Sequence, residues 1–535
     1  YASHTFTDKV ESNYKNYYIF HTNNEGLIME KVFETIDIED LKSSMKMPET
    51  VNIFDTTLRD GEQAPGISLT VDDKINIAKR LDNLGVNTIE IGFPASSEGE
   101  REAARRARDL SFNAVLCGLA RTTGKDIDAV IDCDLPYVHT FIATSPLHRR
   151  YKLKKSRREV IDTAVEAVEY AKDHGLMVEF SAEDASRTEL DFLLELYREV
   201  EGAGADVINV PDTVGILVPP TTEKLISEIK SAIDVPVSLH FHNDFGLAVA
   251  NSIIGIEQGA SQVHCTINGI GERGGNASLE ELAVALKVAY NMELSVDTSQ
   301  LYDICNFVGS LTGIKIPPNK PVIGDNAFAH EAGIHVDGIL KNAMTYEPIS
   351  PEVVGHKRKI ALGKHTGHAA IKSKLDKLDF ELTEKQLCDV YNQVKALGDK
   401  GKTVSDIELQ SIAISELSTG EKEYIKLLGL NVITGESVSA TATVKLEIEG
   451  AEYETAEIGV GPVDAAVNAI KALVNEIVEI KLEEYRLEAV TGGTDALAET
   501  FVMISDDEGN HATGRYTNDD VIIASVVAVL NSINK

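Results

Sequence analysis

Between residues 51 and 292 a short run of apolar, often β-branched residues returns about every 30 residues, eight times. The runs are 51–54, 86–91, 114–119, 137–142, 176–180, 206–210, 235–241 and 262–267. Short continuous runs of this kind mark strands buried on both faces of a parallel sheet. The segments between them carry helical periodicity, clearest at 71–84, 157–174, 189–201, 222–233 and 279–290. Eight βα units in about 240 residues predict an α/β chain closed into a (β/α)8 TIM barrel. An open, doubly wound sheet would usually place a Gly-rich dinucleotide turn after its first strand. The turn here is Asp55-Thr-Thr-Leu-Arg-Asp-Gly-Glu-Gln63, which is charged.

Polar residues follow nearly every run on its C-terminal side, the face on which barrels carry their sites. His240 and His242 are two apart at a strand end, so both imidazoles project to one face. Alone, such a pair more often means two polar residues at a strand end. It has company in Asp60 after the first strand and in the cluster Asn268-Gly-Ile-Gly-Glu-Arg-Gly-Gly-Asn276 after the eighth. Two imidazoles and a carboxylate leave coordination positions open on a divalent ion such as Mn2+, Mg2+ or Zn2+. Asp60, His240 and His242 are the candidate metal ligands, with Asn276 as a fourth. Arg59 could stabilise negative charge developing beside the ion, or simply pair with Asp60. Glu183, past the fifth strand, could relay a proton or orient a histidine. His335, in a Gly-rich segment, is a candidate acid/base because imidazole titrates near pH ~6.5. His139 and Thr213 lie at the mouths of strands four and six, where substrate contact and packing are equally open readings.

Outside the barrel the texture changes. Residues 1–47 are expected to form an N-terminal extension, irregular at its start, ahead of a barrel at 48–315. A linker with small helices follows at 316–405, including 367–374 and 384–397. From 406 to 535 the pattern is three strands (423–435, 438–449, 452–457) and a helix (463–474). It then repeats as strands 481–490, 498–504 and 511–516 and helix 519–530. This predicts a pseudo-symmetric α+β domain of two βββα units. Gly459, Gly461, Pro462 and Asp464 form the Gly-rich turn of one unit, and Gly492, Gly493 and Asp495 that of the other. Glycines there most often serve a tight turn, but their matched placement raises a ligand-binding reading. The net charge of −34, from 51 basic and 85 acidic residues, argues against nucleic acid and membrane partners. Any anion site would need a local cluster of positive charge. Five scattered cysteines without a C-x-x-C pair, and no apolar run near membrane-spanning length, fit a cytoplasmic protein.

Four motifs together resemble the alpha-isopropylmalate synthase family. This family shares a metal-dependent barrel with the homocitrate, citramalate and hydroxymethylglutaryl lyase enzymes. The motifs are Phe54-Asp-Thr-Thr-Leu-Arg-Asp-Gly-Glu-Gln63, Leu239-His-Phe-His-Asn-Asp-Phe-Gly-Leu-Ala248, Asn268 to Glu281, and Phe328-Ala-His-Glu-Ala-Gly-Ile-His-Val-Asp-Gly338. The resemblance runs from about residue 48 to the C-terminus. It implies a Claisen-type condensation of acetyl-CoA with a 2-oxo acid, in a homodimer or higher oligomer. It implies metal binding by Asp60, His240 and His242 with Asn276 nearby, and Arg59 polarising the keto group. It places His139, Ser181, Glu183 and Thr213 around the substrate. It brings His335 and Tyr346 from the linker as catalytic residues, from the partner subunit in one version. Residues 91–94, 119–121 and 139–145 resemble the branch whose acceptor is 2-oxoisovalerate. The citramalate branch, which takes pyruvate, stays open, as do homocitrate synthase and a lyase. The C-terminal domain would bind leucine as feedback inhibitor.

Overall fold

The computed structural model describes residues 15–23, 26–35, 42, 45–378, 380–418, 424–475, 479–489, 497–506 and 509–534. The chain divides into two compact units. The first is Tyr1–Phe328 with Glu347–Arg358, and the second is Ala329–Tyr346 with Lys359–Lys535. The stretch 316–405, read from sequence as one linker, is therefore shared between them.

The first unit opens with an antiparallel hairpin, β1 (Lys15–Asn23) and β2 (Gly26–Thr35). The irregular start expected for this extension is thus regular pairing from Lys15 onward. The next eight strands form the barrel. They are β3 (Asn52–Asp55), β4 (Thr88–Gly92), β5 (Val115–Arg121), β6 (Tyr137–Ala143), β7 (Met177–Glu183), β8 (Val207–Asp212), β9 (Val237–Phe241) and β10 (Gln262–Cys265). All neighbours are parallel, and β10 closes the ring by pairing with both β9 and β3, Val263 lying opposite Leu239 and Ile53.

Local signals agree with this closure. The helix Val71–Leu84 begins with a capping box between Thr70 and Asp73 and buries Ile75, Ala78, Leu81 and Leu84. It ends at Gly85, whose φ of 92° and whose approach to the Ser295 carbonyl leave no room for a Cβ. Barrel interiors are usually filled by branched apolar residues. Here a polar layer crosses the interior instead. Glu179 of β7 accepts from Tyr137 of β6 at 2.9 Å and from Gln262 of β10 at 2.9 Å, and lies 2.7 Å from His264 Nε2. Each member has a partner on another strand, so the layer ties the ring together as well as filling it.

In the second unit β11 (Ala329–His330) and β12 (Lys359–Ile360) form a short parallel pair. The helices His368–Lys377, Glu384–Asp399 and Asp406–Ser418 follow. Two three-stranded antiparallel sheets come next. They are β13 (Ile425–Gly435), β14 (Val438–Ile448) and β15 (Ala451–Gly459), then β16 (Lys481–Ala489), β17 (Ala498–Ser505) and β18 (His511–Asn518). Each sheet is followed by a helix, Pro462–Val474 and Val521–Ile533 respectively. Val444, Leu446, Ile470, Val502, Val526 and Val529 share one core, so the two βββα units form a single packed domain. Among the described residues no helix is long and apolar enough to cross a membrane.

Candidate active site

Three chain segments far apart in sequence meet at the C-terminal rim of the barrel. The turn after β3 carries Arg59 and Asp60, the end of β9 carries His240 and His242, and the loop after β10 carries Asn276. The Nε2 atoms of His240 and His242 are 3.3 Å apart, and Asp60 Oδ2 lies 3.3 Å from the first and 3.9 Å from the second. Donors held ~2.0–2.2 Å from one ion stand roughly 3–3.5 Å from each other, so this triad has the size of a single coordination shell. Among the described residues it is the one group of three or more His, Cys, Asp or Glu with such convergence. Asp60 Oδ1 and Asn276 Oδ1 are buried without a hydrogen-bond partner in the protein. Buried oxygens left unpaired are costly, and a divalent cation would answer both. The residues present fit a metal.

The charge states suit it. Burial opposes ionisation of Asp60, but Arg59, His240 and His242 outweigh it and hold the carboxyl well below its usual range. Burial and the neighbouring His240 imidazole bring His242 down to about 4 against the pull of Asp60. At neutral pH this gives an ionised carboxylate and an imidazole that offers its lone pair without first losing a proton.

The loop that delivers Asn276 is built on glycine. A Cβ on Gly275, which has φ of 84°, would lie 1.9 Å from the Gly269 carbonyl oxygen. One on Gly274 would lie 2.9 Å from the Asn243 carbonyl oxygen. This close approach lets Asn276 bridge to His242 and donate from Nδ2 to the Ile270 carbonyl at 3.1 Å.

Arg59 is fixed from two sides. Its Nε donates to Glu90 Oε2 at 2.7 Å and an Nη donates to Asp60 Oδ2 at 2.8 Å. Arg59 therefore pairs with Asp60, as one of its two sequence readings has it, and it also lines the cavity. Glu90 also accepts from Thr56 Oγ1 at 2.5 Å and lies 2.7 Å from His139 Nδ1. Burial works against its charge too, and Arg59 and His139 hold it below the usual carboxylate range. His139 Nε2 lies 2.6 Å from Ser181 Oγ, which accepts from Asn209 at 2.7 Å. Both nitrogens of His139 are thus engaged inside the protein. Directly beneath, His264 stacks on Phe54 at 3.9 Å and meets His139 and His240 edge-on at 5.2 and 5.4 Å.

The cavity above has a volume of about 320 Å³. Arg59, Asp60, His139, Ser181, Glu183, Thr213, His240 and His242 all line it, as expected from sequence. Phe93, Leu119, Phe141 and Pro211 give it an apolar wall. Glu183 is held by Lys152, whose Nζ lies 2.6 and 2.8 Å from its two oxygens. Thr213 Oγ1 accepts the Asp184 N–H at 2.9 Å.

The remaining candidates lie in the second unit. His335 and Tyr346 pair there, ring centroids 4.2 Å apart, both exposed. Gly459, Gly461, Pro462 and Asp464 have a local structural role. Asp464 accepts the Val460 N–H at 2.8 Å, Gly461 caps the helix begun by Pro462, and a Cβ on Gly459 would strike the Ala465 backbone at 2.2 Å. Gly492, Gly493 and Asp495 lie outside the described residues. Sequence reading missed Glu90, Glu179 and His264, which sit inside apolar strands. Their signal was an ionisable residue in a strand buried on both faces, where it must be paired.

Three family models match successive parts of the chain. The HMGL-like model matches residues 50–308, the homocitrate synthase post-HMGL domain-like model 322–402, and the LeuA allosteric (dimerisation) domain 403–535. A probable 2-isopropylmalate synthase of Methanopyrus kandleri is 53% identical over 91% of this chain and 99% of its own length. The 2-isopropylmalate synthase of Methanocaldococcus jannaschii is 52% identical over 96% and 98%. The chain belongs to the alpha-isopropylmalate synthase family. The (R)-citramalate synthase of M. jannaschii is 48% identical over 90% of this chain and 99% of its own length. Family membership therefore brings the acceptor down to a choice that the cavity wall has to make.

Proposed function

We propose that this family member is a 2-isopropylmalate synthase, joining acetyl-CoA to 2-oxoisovalerate and releasing CoA. The observation that carries the reading is the Asp60, His240 and His242 triad beside Arg59 under an apolar wall, in a chain more than half identical to two archaeal synthases. Asp60, His240 and His242, with Asn276 adjacent, would hold a divalent cation (Mn2+, Mg2+ or Zn2+), which when bound supplies Lewis acidity toward a 2-oxo acid.

The chain's own residues do the rest. Arg59, its charge kept in place by Glu90 and Asp60, stabilises the alkoxide that forms on the acceptor. Phe93, Leu119 and Phe141 receive the branched side chain, and Ser181 and Thr213 offer hydroxyls to the polar end. His139 supports that end through Ser181. A methyl proton leaves acetyl-CoA to a base, for which His335 is proposed, with Tyr346 as its neighbour and Glu183 as relay. The new C–C bond takes the keto oxygen to an alcohol, and water then cleaves the thioester. The C-terminal domain is proposed to mediate homodimer formation and to bind leucine as feedback inhibitor. A reducing cytoplasmic setting suits the five unpaired thiols.

Thiol release with 2-oxoisovalerate, pyruvate and 2-oxoglutarate tests the reading, each with and without chelator and leucine. The expected result is chelator-sensitive release favouring 2-oxoisovalerate, inhibited by leucine. Preference for pyruvate would make the protein a citramalate synthase, which the relative at 48% identity keeps as the second reading.

A further inference from the structure

A chain with a net charge of −34 repels polyanions. An acyl-CoA carries a diphosphate and a 3′-phosphate, so a protein of this charge that uses one needs a local reversal of sign. Residues 149–158 supply it. They read Arg-Arg-Tyr-Lys-Leu-Lys-Lys-Ser-Arg-Arg, seven basic side chains in ten positions, and no acidic residue occurs between Asp134 and Glu159.

Part of this charge is committed. Arg149 and Arg157 share Glu189, Arg157 also reaches Asp191, Arg158 pairs with Asp162, and Lys152 pairs with Glu183. Arg150 and Lys154 are exposed and carry no ion pair among the described residues, and Lys155, half-buried, donates to Thr163 Oγ1 at 2.6 Å and not to a carboxylate. The backbone holds them in an unusual shape. A π-helical turn, Arg149–Leu153, ends on Lys154 in the left-handed region at φ 55°, ψ 42°, and the Lys155 N–H closes back on the Arg149 carbonyl at 3.1 Å. Single π turns and left-handed residues with side chains are uncommon and tend to gather at functional sites. Between Arg150 and Lys154 in the chain stands Tyr151, 67% exposed, with the Arg150 guanidinium 5.1 Å from its ring centroid. The place is also right. Lys152 lines the cavity with Arg59, Asp60, His240 and His242, and Arg150, Tyr151 and Lys154 are its exposed neighbours in the chain.

We propose that Arg150, Tyr151, Lys154 and Lys155 dock the phosphate-bearing end of the acyl-CoA. The three cations take the phosphates, and the exposed Tyr151 ring stacks on the adenine. Lys152 stays with Glu183 at the cavity. This inference rests on the reading of acetyl-CoA as acyl donor.

The test is the double substitution Arg150→Gln/Lys154→Gln in the metal-loaded full chain. The KM for acetyl-CoA rises at least about tenfold, the order set by losing charge-assisted contacts. The kcat and the KM for the oxo acid stay within about twofold. With acetyl-pantetheine, which lacks the nucleotide, variant and wild type behave alike. Calorimetry with CoA alone shows the same loss of affinity and needs no acceptor. Wild-type protein that binds CoA but condenses it with no oxo acid would sink the proposed reaction and leave the docking site standing. Unchanged CoA affinity in the variant, no CoA binding by wild type, or an equal loss with acetyl-pantetheine would overturn the docking site.

Discussion

Replacing Glu90 by Gln asks whether Arg59 works as a charge held in place. Glu90 is fully buried on β4 and serves Arg59 at 2.7 Å, Thr56 at 2.5 Å and His139 at 2.7 Å. Gln keeps the shape and one acceptor oxygen but no charge. With that oxygen toward Arg59 and Thr56, the new NH2 faces His139 Nδ1, which must then accept. The guanidinium is left with Asp60 as its one anionic partner and is drawn toward it, away from the substrate. A hydrogen bond to a charged group is worth about 1.5–3 kcal/mol, and stripping a partner from a buried ion pair costs about 3–5 kcal/mol. Because one oxygen and the Asp60 bond survive, the lower range applies, about 2–3 kcal/mol of stability. The loss in kcat should be about 10²–10³-fold, as for a mis-set oxyanion donor. Thiol-release kinetics at saturating metal, with urea unfolding alongside, read both quantities. A natively folded Glu90→Gln enzyme with kcat within threefold of wild type would refute the idea that Glu90 sets Arg59.

Three further outcomes are expected. Gly275→Ala puts a Cβ on the Gly269 carbonyl at a positive φ, so the Asn276 loop must shift. Metal affinity measured by competition with a chelating dye should fall at least about tenfold, in line with loss of an outer-shell partner. Leu119→Phe narrows the apolar wall, and the kcat/KM ratio of 2-oxoisovalerate to pyruvate should drop by about 10–200-fold, the worth of one methylene in an apolar pocket. Burial holds His242 and His264 down to about 4 in the folded chain, whereas unfolded imidazole titrates near ~6.5. The unfolded state therefore binds more protons between these values. Their contribution to stability is complete above about pH 6.5 and is lost as pH falls toward 4. Urea midpoints of metal-free protein at pH 7.5, 6 and 5 should decline in that order, and a flat series would contradict the assignment.

The ring of eight strands was legible because a parallel barrel repeats one physical unit, and both faces of each strand are buried. The run at 137–142 and the observed Tyr137–Ala143 differ by a single residue. The convergence of Asp60, His240 and His242 was legible for a related reason. A two-residue spacing at a strand end fixes where His240 and His242 point, whatever the rest of the chain does. The support beneath the triad was hidden by the same logic. Glu90 and Glu179 lie within runs whose apolar neighbours dominate the pattern, and their partners His139 and His264 come from other strands. Only the closed ring brings them together. The β1–β2 hairpin was missed because its residues 15–23 mix aromatic and polar side chains without strict alternation. The Gly459–Asp464 turn shows the opposite case. Its residues build the start of a helix, which is visible in the structure, while the effector role expected of them stays a proposal.

The central claim is that one divalent ion sits on Asp60, His240 and His242. Anomalous diffraction from crystals grown with Mn2+ tests it most directly. The account predicts a single strong peak at the barrel mouth, within ~2.0–2.3 Å of an Asp60 oxygen and of both Nε2 atoms. Peaks elsewhere, or an ion that leaves either histidine uncoordinated, would contradict it.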